Sequence, residues 1–93
     1  MTYYLLLYEV VDDYVARRPP LREVHLRLAR AAHERGELLL AGAFADPVDG
    51  AALLFTTEDR AVVERFARED PYVREGLISA WSIHRWNVVV GSA

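Results

Sequence analysis

Cysteine is missing from the 93 residues, which excludes a disulfide framework and thiolate chemistry and suits a reducing compartment. Lysine is missing too. All eleven basic residues are arginine, and against 14 acids they leave a net charge of −3. A nucleic-acid binder normally shows a basic excess, so that class of partner is set aside. No glycine-rich phosphate loop occurs, and a nucleotide cofactor therefore has no support. The three histidines, at positions 25, 33 and 84, form no His-x-x-x-His pair and have no cysteine companions, so no metal-ligand spacing is present. Long apolar runs are absent as well. Nothing reaches the length of a bilayer span, and Met1-Thr2-Tyr3-Tyr4 lacks the basic start and apolar core of a signal peptide. The expectation is one cytoplasmic domain over residues 1–93, without metal, cofactor or membrane partner. No internal repeat or linker divides it.

What is abundant is apolar surface, 53% of residues in a chain too short to bury all of it. That imbalance hints at an oligomer. Tyr3 to Val11 is a β-rich run with apolar residues on both faces, ended by Asp12-Asp13. Val15 to Pro20 reads as a charged, proline-marked loop with Pro20 at the first position of a helix that runs to about Arg35 and stops at Gly36. Leu21, Val24, Leu28, Ala31 and Ala32 supply its apolar stripe. Glu37 to Phe44 is a second strand, Asp46-Pro47-Val48-Asp49-Gly50 a turn, and Ala51 to Thr56 the returning strand of an antiparallel hairpin. Gly42 inside that strand marks a bulge, or a close approach by a ligand or another backbone. Thr57-Glu58-Asp59 starts a second helix that buries Val62, Val63, Phe66 and Ala67 and ends at Asp70-Pro71. A short turn through Gly76 leads to a last strand, Ile78 to Val90. The order β-α-β-β-α-β predicts a ferredoxin-like α+β fold, a four-stranded antiparallel sheet with two helices on one face. The uncovered face should meet a second copy, giving a homodimer by sheet packing.

Two residues break local rules. Asp70 places negative charge at a helix C-terminus, where the dipole favours cations, and Pro71 biases it out of the helical basin. It either caps the next turn through a backbone N–H or serves a site. His25 lies on the apolar stripe of the first helix, where an imidazole needs a partner. It is either a satisfied core histidine or a catalyst. The predicted topology allows the start of the first helix and the end of the second to meet over one sheet, so His25 and Asp70 can share a pocket. A carboxylate on one ring nitrogen would leave the other as a general base. Arg22, one turn before His25, either steers a carboxylate or phenolate substrate inward or is a solvated charge. Tyr72 either offers a phenolic hydroxyl or packs on the sheet. Ser79 and Ser82 lack a nucleophile signature.

Taken together, Arg22-x-x-His25-Leu26, Gly36-Glu37-Leu38-Leu39-Leu40-Ala41-Gly42, Asp49-Gly50, Asp70-Pro71-Tyr72-Val73, Gly76-Leu77 and Ile83-x-x-Trp86 resemble the YCII-related (YciI-like) family across nearly the whole chain. The resemblance implies a dimeric α/β barrel similar to muconolactone isomerases and small monooxygenases, with a His-Asp pair that maps onto His25 and Asp70. One type of member removes chloride from a chlorinated hydroxyhydroquinone. The chain departs from many relatives at Gly42-Ala43, where they carry Gly-Pro, and at Leu28, where an aromatic residue is frequent, so no substrate is carried over. The leading expectation is an acid/base enzyme of lyase, isomerase or dehydrochlorinase type acting on a small cyclic or aromatic compound. Its catalytic residues are His25 and Asp70, and Arg22, Gly42 and Tyr72 bind substrate. The rival expectations are a non-catalytic metabolite-binding or interaction module and a cofactor-free monooxygenase.

Overall fold

The computed structural model describes residues 1–91. Strand β1 is Tyr3–Val10, β2 Leu38–Ala43, β3 Gly50–Thr56 and β4 Ile78–Trp86. They form one antiparallel sheet in the order β2-β3-β1-β4. Helices α1 (Tyr14–Arg17) and α2 (Pro19–Glu34) lie between β1 and β2, and α3 (Arg60–Glu69) and α4 (Pro71–Arg74) lie between β3 and β4. This is the ferredoxin-like arrangement with two short helices added.

Side chains alternate across the pleat, so one face of the sheet is set by every second residue. Leu6 and Tyr8 of β1, Leu53 and Phe55 of β3 and Ile83 of β4 occupy the covered face and are buried. Val63, Phe66 and Ala67 of α3 close over them, with the Phe55 and Phe66 rings edge to face at 5.2 Å. Complete burial of a side chain such as Leu6, Phe55 or Val63 contributes roughly 1.5–3 kcal/mol. The other face carries Leu5, Leu7 and Leu54, all half-buried, and the exposed Leu40 and Trp86.

Helix ends follow local chemistry. Gly36 has φ 80°, and it closes α2 with its N–H on His33 O and the Glu37 N–H on Ala32 O, a Schellman motif. Asp59 caps α3, its carboxylate accepting from the Ala61 N–H at 2.9 Å.

Several expectations need correction. Tyr14–Arg17 is a helical turn and not a loop, and α2 begins at Pro19, one residue earlier than expected. Four residues are too few for an apolar periodicity to show. Val24 is half exposed, because the covered side of α2 centres on His25, Ala29 and Ala32. The stretch after Pro71 is the short helix α4 rather than a turn. β4 ends at Trp86 and not at Val90, since Trp86 pairs with Tyr3, the first residue of β1, and no neighbouring strand extends further. Gly50 is already paired in β3, and the register shift of β2 falls between Leu38 and Leu40, away from Gly42. A Cβ at Gly42 would meet nothing within 4 Å. The close backbone approach belongs to Gly50, where a Cβ would lie 2.9 Å from the Phe44 ring and from the Tyr8 carbonyl oxygen.

Candidate active site

Asp70 is the only fully buried acid among the described residues, and its position follows from its neighbour in sequence. Pro71 removes a backbone N–H and disfavours helical geometry at the preceding residue, so Asp70 turns extended, at φ −64° and ψ 122°. It thereby ends α3 and begins α4. Its Oδ1 accepts the Tyr72 N–H at 3.0 Å as the N-cap of α4. The same oxygen lies 2.9 Å from His25 Nδ1, and Oδ2 accepts the Tyr8 hydroxyl at 2.8 Å. Three donors offset the cost of taking a carboxylate out of water. The capping role and the imidazole contact are therefore both present, where sequence offered them as alternatives.

An ionised carboxylate only accepts, so the donor in this contact is His25 Nδ1–H. In the neutral ring Nε2 is then left as a lone-pair acceptor, with no hydrogen-bond partner among the described residues. The ring plane is fixed independently. Tyr72 stacks on it with centroids 4.0 Å apart and 13° between planes, and Tyr14 meets Tyr72 edge on at 5.6 Å. Gly76, at φ 80°, supports Tyr72 in turn, since the Schellman motif it closes directs the Leu77 N–H to Tyr72 O at 2.9 Å.

His25 opens on a cavity of about 350 Å³ between α2 and the hairpin end of the sheet. Tyr8, Tyr14, Arg18, Arg22 and Tyr72 line one side of it, while Ala41, Ala43, Ala51 and Leu53 of the sheet give an apolar wall. Gly42 and Phe44 stand at its rim. A second depression, about 400 Å³, lies away from His25 against Met1, Tyr3, Arg85 and Trp86. It is the larger of the two, yet it holds no acid and no histidine, so the first is the candidate site.

Burial, then the charge and hydrogen bond of Asp70, push the Tyr8 phenol well above the ordinary tyrosine range, which keeps it a donor. Burial also raises the Tyr72 phenol, with Tyr14 adding to it and the Arg22 and Arg18 charges opposing. The Tyr72 hydroxyl is buried and has no hydrogen-bond partner in the chain. Among the described residues no three acids or histidines converge in a way that would hold a metal ion, and no helix is long and apolar enough to cross a membrane.

Of the residues singled out from sequence, His25, Asp70, Arg22, Gly42 and Tyr72 all come to this end of the molecule, although Asp70 touches the cavity only through its partners. Tyr8, Tyr14 and Arg18 were not singled out. Tyr8 shares the inward parity of Leu6 on β1, and a phenol at the inner end of a strand needs an acceptor. That signal was in the sequence, but the acceptor lies 62 positions away.

A family model described as the YCII-related domain matches residues 1–87. No curated protein matches the chain in sequence. Among solved structures, the 5-chloro-2-hydroxyhydroquinone dehydrochlorinase (TftG) of Burkholderia phenoliruptrix AC1100, in complex with 2,5-dihydroxybenzoquinone, aligns with a TM-score of 0.78 at 18% identity, over 91% of this chain and 93% of its own. Protein Atu4242 of Agrobacterium tumefaciens aligns at 0.62 with 13% identity, over 96% and 94%. An antibiotic biosynthesis monooxygenase aligns at 0.59 with 13% identity, over 97% and 100%. At these identities the likeness is one of fold.

Proposed function

The chain belongs to the YCII-related domain family, and from that premise we propose that it is a small-molecule enzyme in which His25 is the general acid/base and Asp70 its positioning partner. The observation that carries this reading is the 2.9 Å contact between His25 Nδ1 and a wholly buried carboxylate, at the wall of a cavity sized for a single ring. Small-molecule sites range over roughly 300–1,000 Å³, and this one sits at the lower end.

In the proposed step, Nε2 takes a proton from the bound compound and the Asp70 charge stabilises the imidazolium that forms. The electron pair left behind moves along the ring and Nε2–H returns the proton to a ring carbon; isomerisation ends there, whereas in elimination a second ring hydroxyl loses its proton to water and its electron pair expels chloride from that carbon, leaving a quinone. Loss of chloride from a chlorinated ring, as in the dehydrochlorinase relative in fold, and isomerisation both fit that sequence. Positioned acid/base catalysis contributes typically ~10²–10⁴-fold. Chloride release from chlorinated hydroxyquinols should therefore fall by about that factor in His25→Ala, with the circular dichroism spectrum retained. Full activity in that variant would remove His25 from the mechanism.

Two other readings each have one observation in their favour. The capping role of Asp70 explains its burial without catalysis, which suits a metabolite-binding module; ring compounds would then bind without turnover. The monooxygenase relative in fold favours oxygenation, which oxygen uptake on quinols with no cofactor added would reveal. The apolar face of Leu5, Leu7, Leu54 and Leu40 supports pairing of two copies through their sheets. Light scattering that gave a monomer mass would dismiss the pairing.

A further inference from the structure

The start of α2 goes against helix electrostatics. Arg18 is at once the C-cap of α1 and the N-cap of α2, where it makes no capping side-chain bond; the first turn of α2 has no acid, and Arg22 follows one turn on, near the positive end of that dipole. Among the described residues six arginines, Arg18, Arg22, Arg30, Arg65, Arg74 and Arg85, meet no carboxylate, and of these only Arg18 and Arg22 border the cavity. Arg18 instead lies over the Tyr14 ring at 5.3 Å, and both arginines border the cavity.

A second, independent feature is Tyr72. Only 2% of it is exposed, and its hydroxyl is the one buried side-chain polar atom without a partner among the described residues. Native cores rarely leave such a donor idle. It borders the same cavity, near enough to Arg22 and Arg18 for both charges to act on the phenol.

We propose that Arg18, Arg22 and the Tyr72 hydroxyl form a carboxylate subsite beside His25, so that the compounds taken are single-ring carboxylates. The proposal rests on the cavity being a small-molecule site but not on His25 being catalytic. Guanidinium groups match the two oxygens of a planar carboxylate with paired N–H donors. A lone phenolate oxygen would leave part of this donor set unused. The apolar wall of Ala41, Ala43, Ala51 and Leu53 then receives the ring.

The test is titration of the full chain with benzoate, its neutral counterpart benzamide, and 4-nitrophenolate, followed by amide chemical shifts. Benzoate should bind about tenfold more tightly than either of the others, with the largest shifts at residues 18–25 and at 72. Arg22→Gln and Tyr72→Phe should each cut that preference by threefold or more. Tyr72→Phe removes only an unpartnered hydroxyl, so its melting temperature should be at least that of the parent. His25→Ala should keep the preference, which separates this proposal from the acid/base reading. Equal binding of benzoate and benzamide, no binding of benzoate, or shifts centred elsewhere would overturn the subsite. Equal binding of 4-nitrophenolate would overturn the carboxylate assignment.

Discussion

Replacing Asp70 by asparagine has a consequence that the donor geometry dictates. Oδ1 receives a backbone N–H from Tyr72, which can never act as an acceptor, so the amide oxygen must take the Oδ1 place. The amide nitrogen then faces the Tyr8 oxygen. Tyr8 can accept only by turning its own hydrogen away, into surroundings where the residue is 3% exposed. Asp70→Asn therefore loses the charge-assisted Tyr8 bond, and so does Tyr8→Phe. A hydrogen bond to a charged group is worth about 1.5–3 kcal/mol, and with both residues buried solvent screening takes little away. Each single variant should lose about that much stability. The double variant should cost about as much as one of them, which is a coupling of about 1.5–3 kcal/mol. The assay is urea unfolding at one fixed protein concentration, followed through the fluorescence of Trp81 and Trp86. A coupling below about 0.5 kcal/mol would mean that the two residues act independently, and the buried network would be refuted. The same reasoning says that His25 keeps its Nδ1–H tautomer in Asp70→Asn, which imidazole nitrogen shifts report directly.

Two further outcomes follow from other parts of the molecule. Gly50→Ala sets a methyl group 2.9 Å from the Tyr8 carbonyl oxygen, and because that atom is backbone it should cost about 1–3 kcal/mol in urea unfolding; Gly42→Ala, which meets nothing within 4 Å, is the control, and equal stability of the two would refute the close approach. Tyr8 has a folded-state pKa above its unfolded value, so folding holds a proton that the unfolded chain releases above about pH 10. Stability is thus intact below that pH and falls above it, by up to about 1.4 kcal/mol per pH unit for this phenol. Tyr8→Phe should flatten the alkaline limb of the curve, and an unchanged slope would show that Tyr8 titrates in the folded protein.

The sheet and both long helices were legible because alternation and helical spacing record which side chains face a core. His25 and Asp70 stood out for the opposite reason, each contradicting its surroundings: an imidazole on an apolar stripe, an acid at the negative end of a dipole. The contact between them was legible only through the topology. Tyr8 escaped because a tyrosine in an apolar strand contradicts nothing locally; only its acceptor, supplied by the far half of the chain, makes it special. Tyr14 escaped because α1 is a single turn. Val24 misled because spacing defines a stripe but not which edge of it the sheet covers, and Val88–Val90 misled because strand-forming residues extend a sheet only where another strand runs alongside.

The joint at Asp70 leaves little freedom for the length of α3. Each residue of an α-helix turns the chain by about 100°, so one inserted or deleted residue between Asp59 and Asp70 would swing the carboxylate away from both His25 and Tyr8. Relatives that preserve the pair should therefore hold this segment at constant length while the loop at Phe44–Asp49 grows or shrinks. Gap placement in an alignment thus becomes a reporter of whether a given descendant still assembles the imidazole and its anchor.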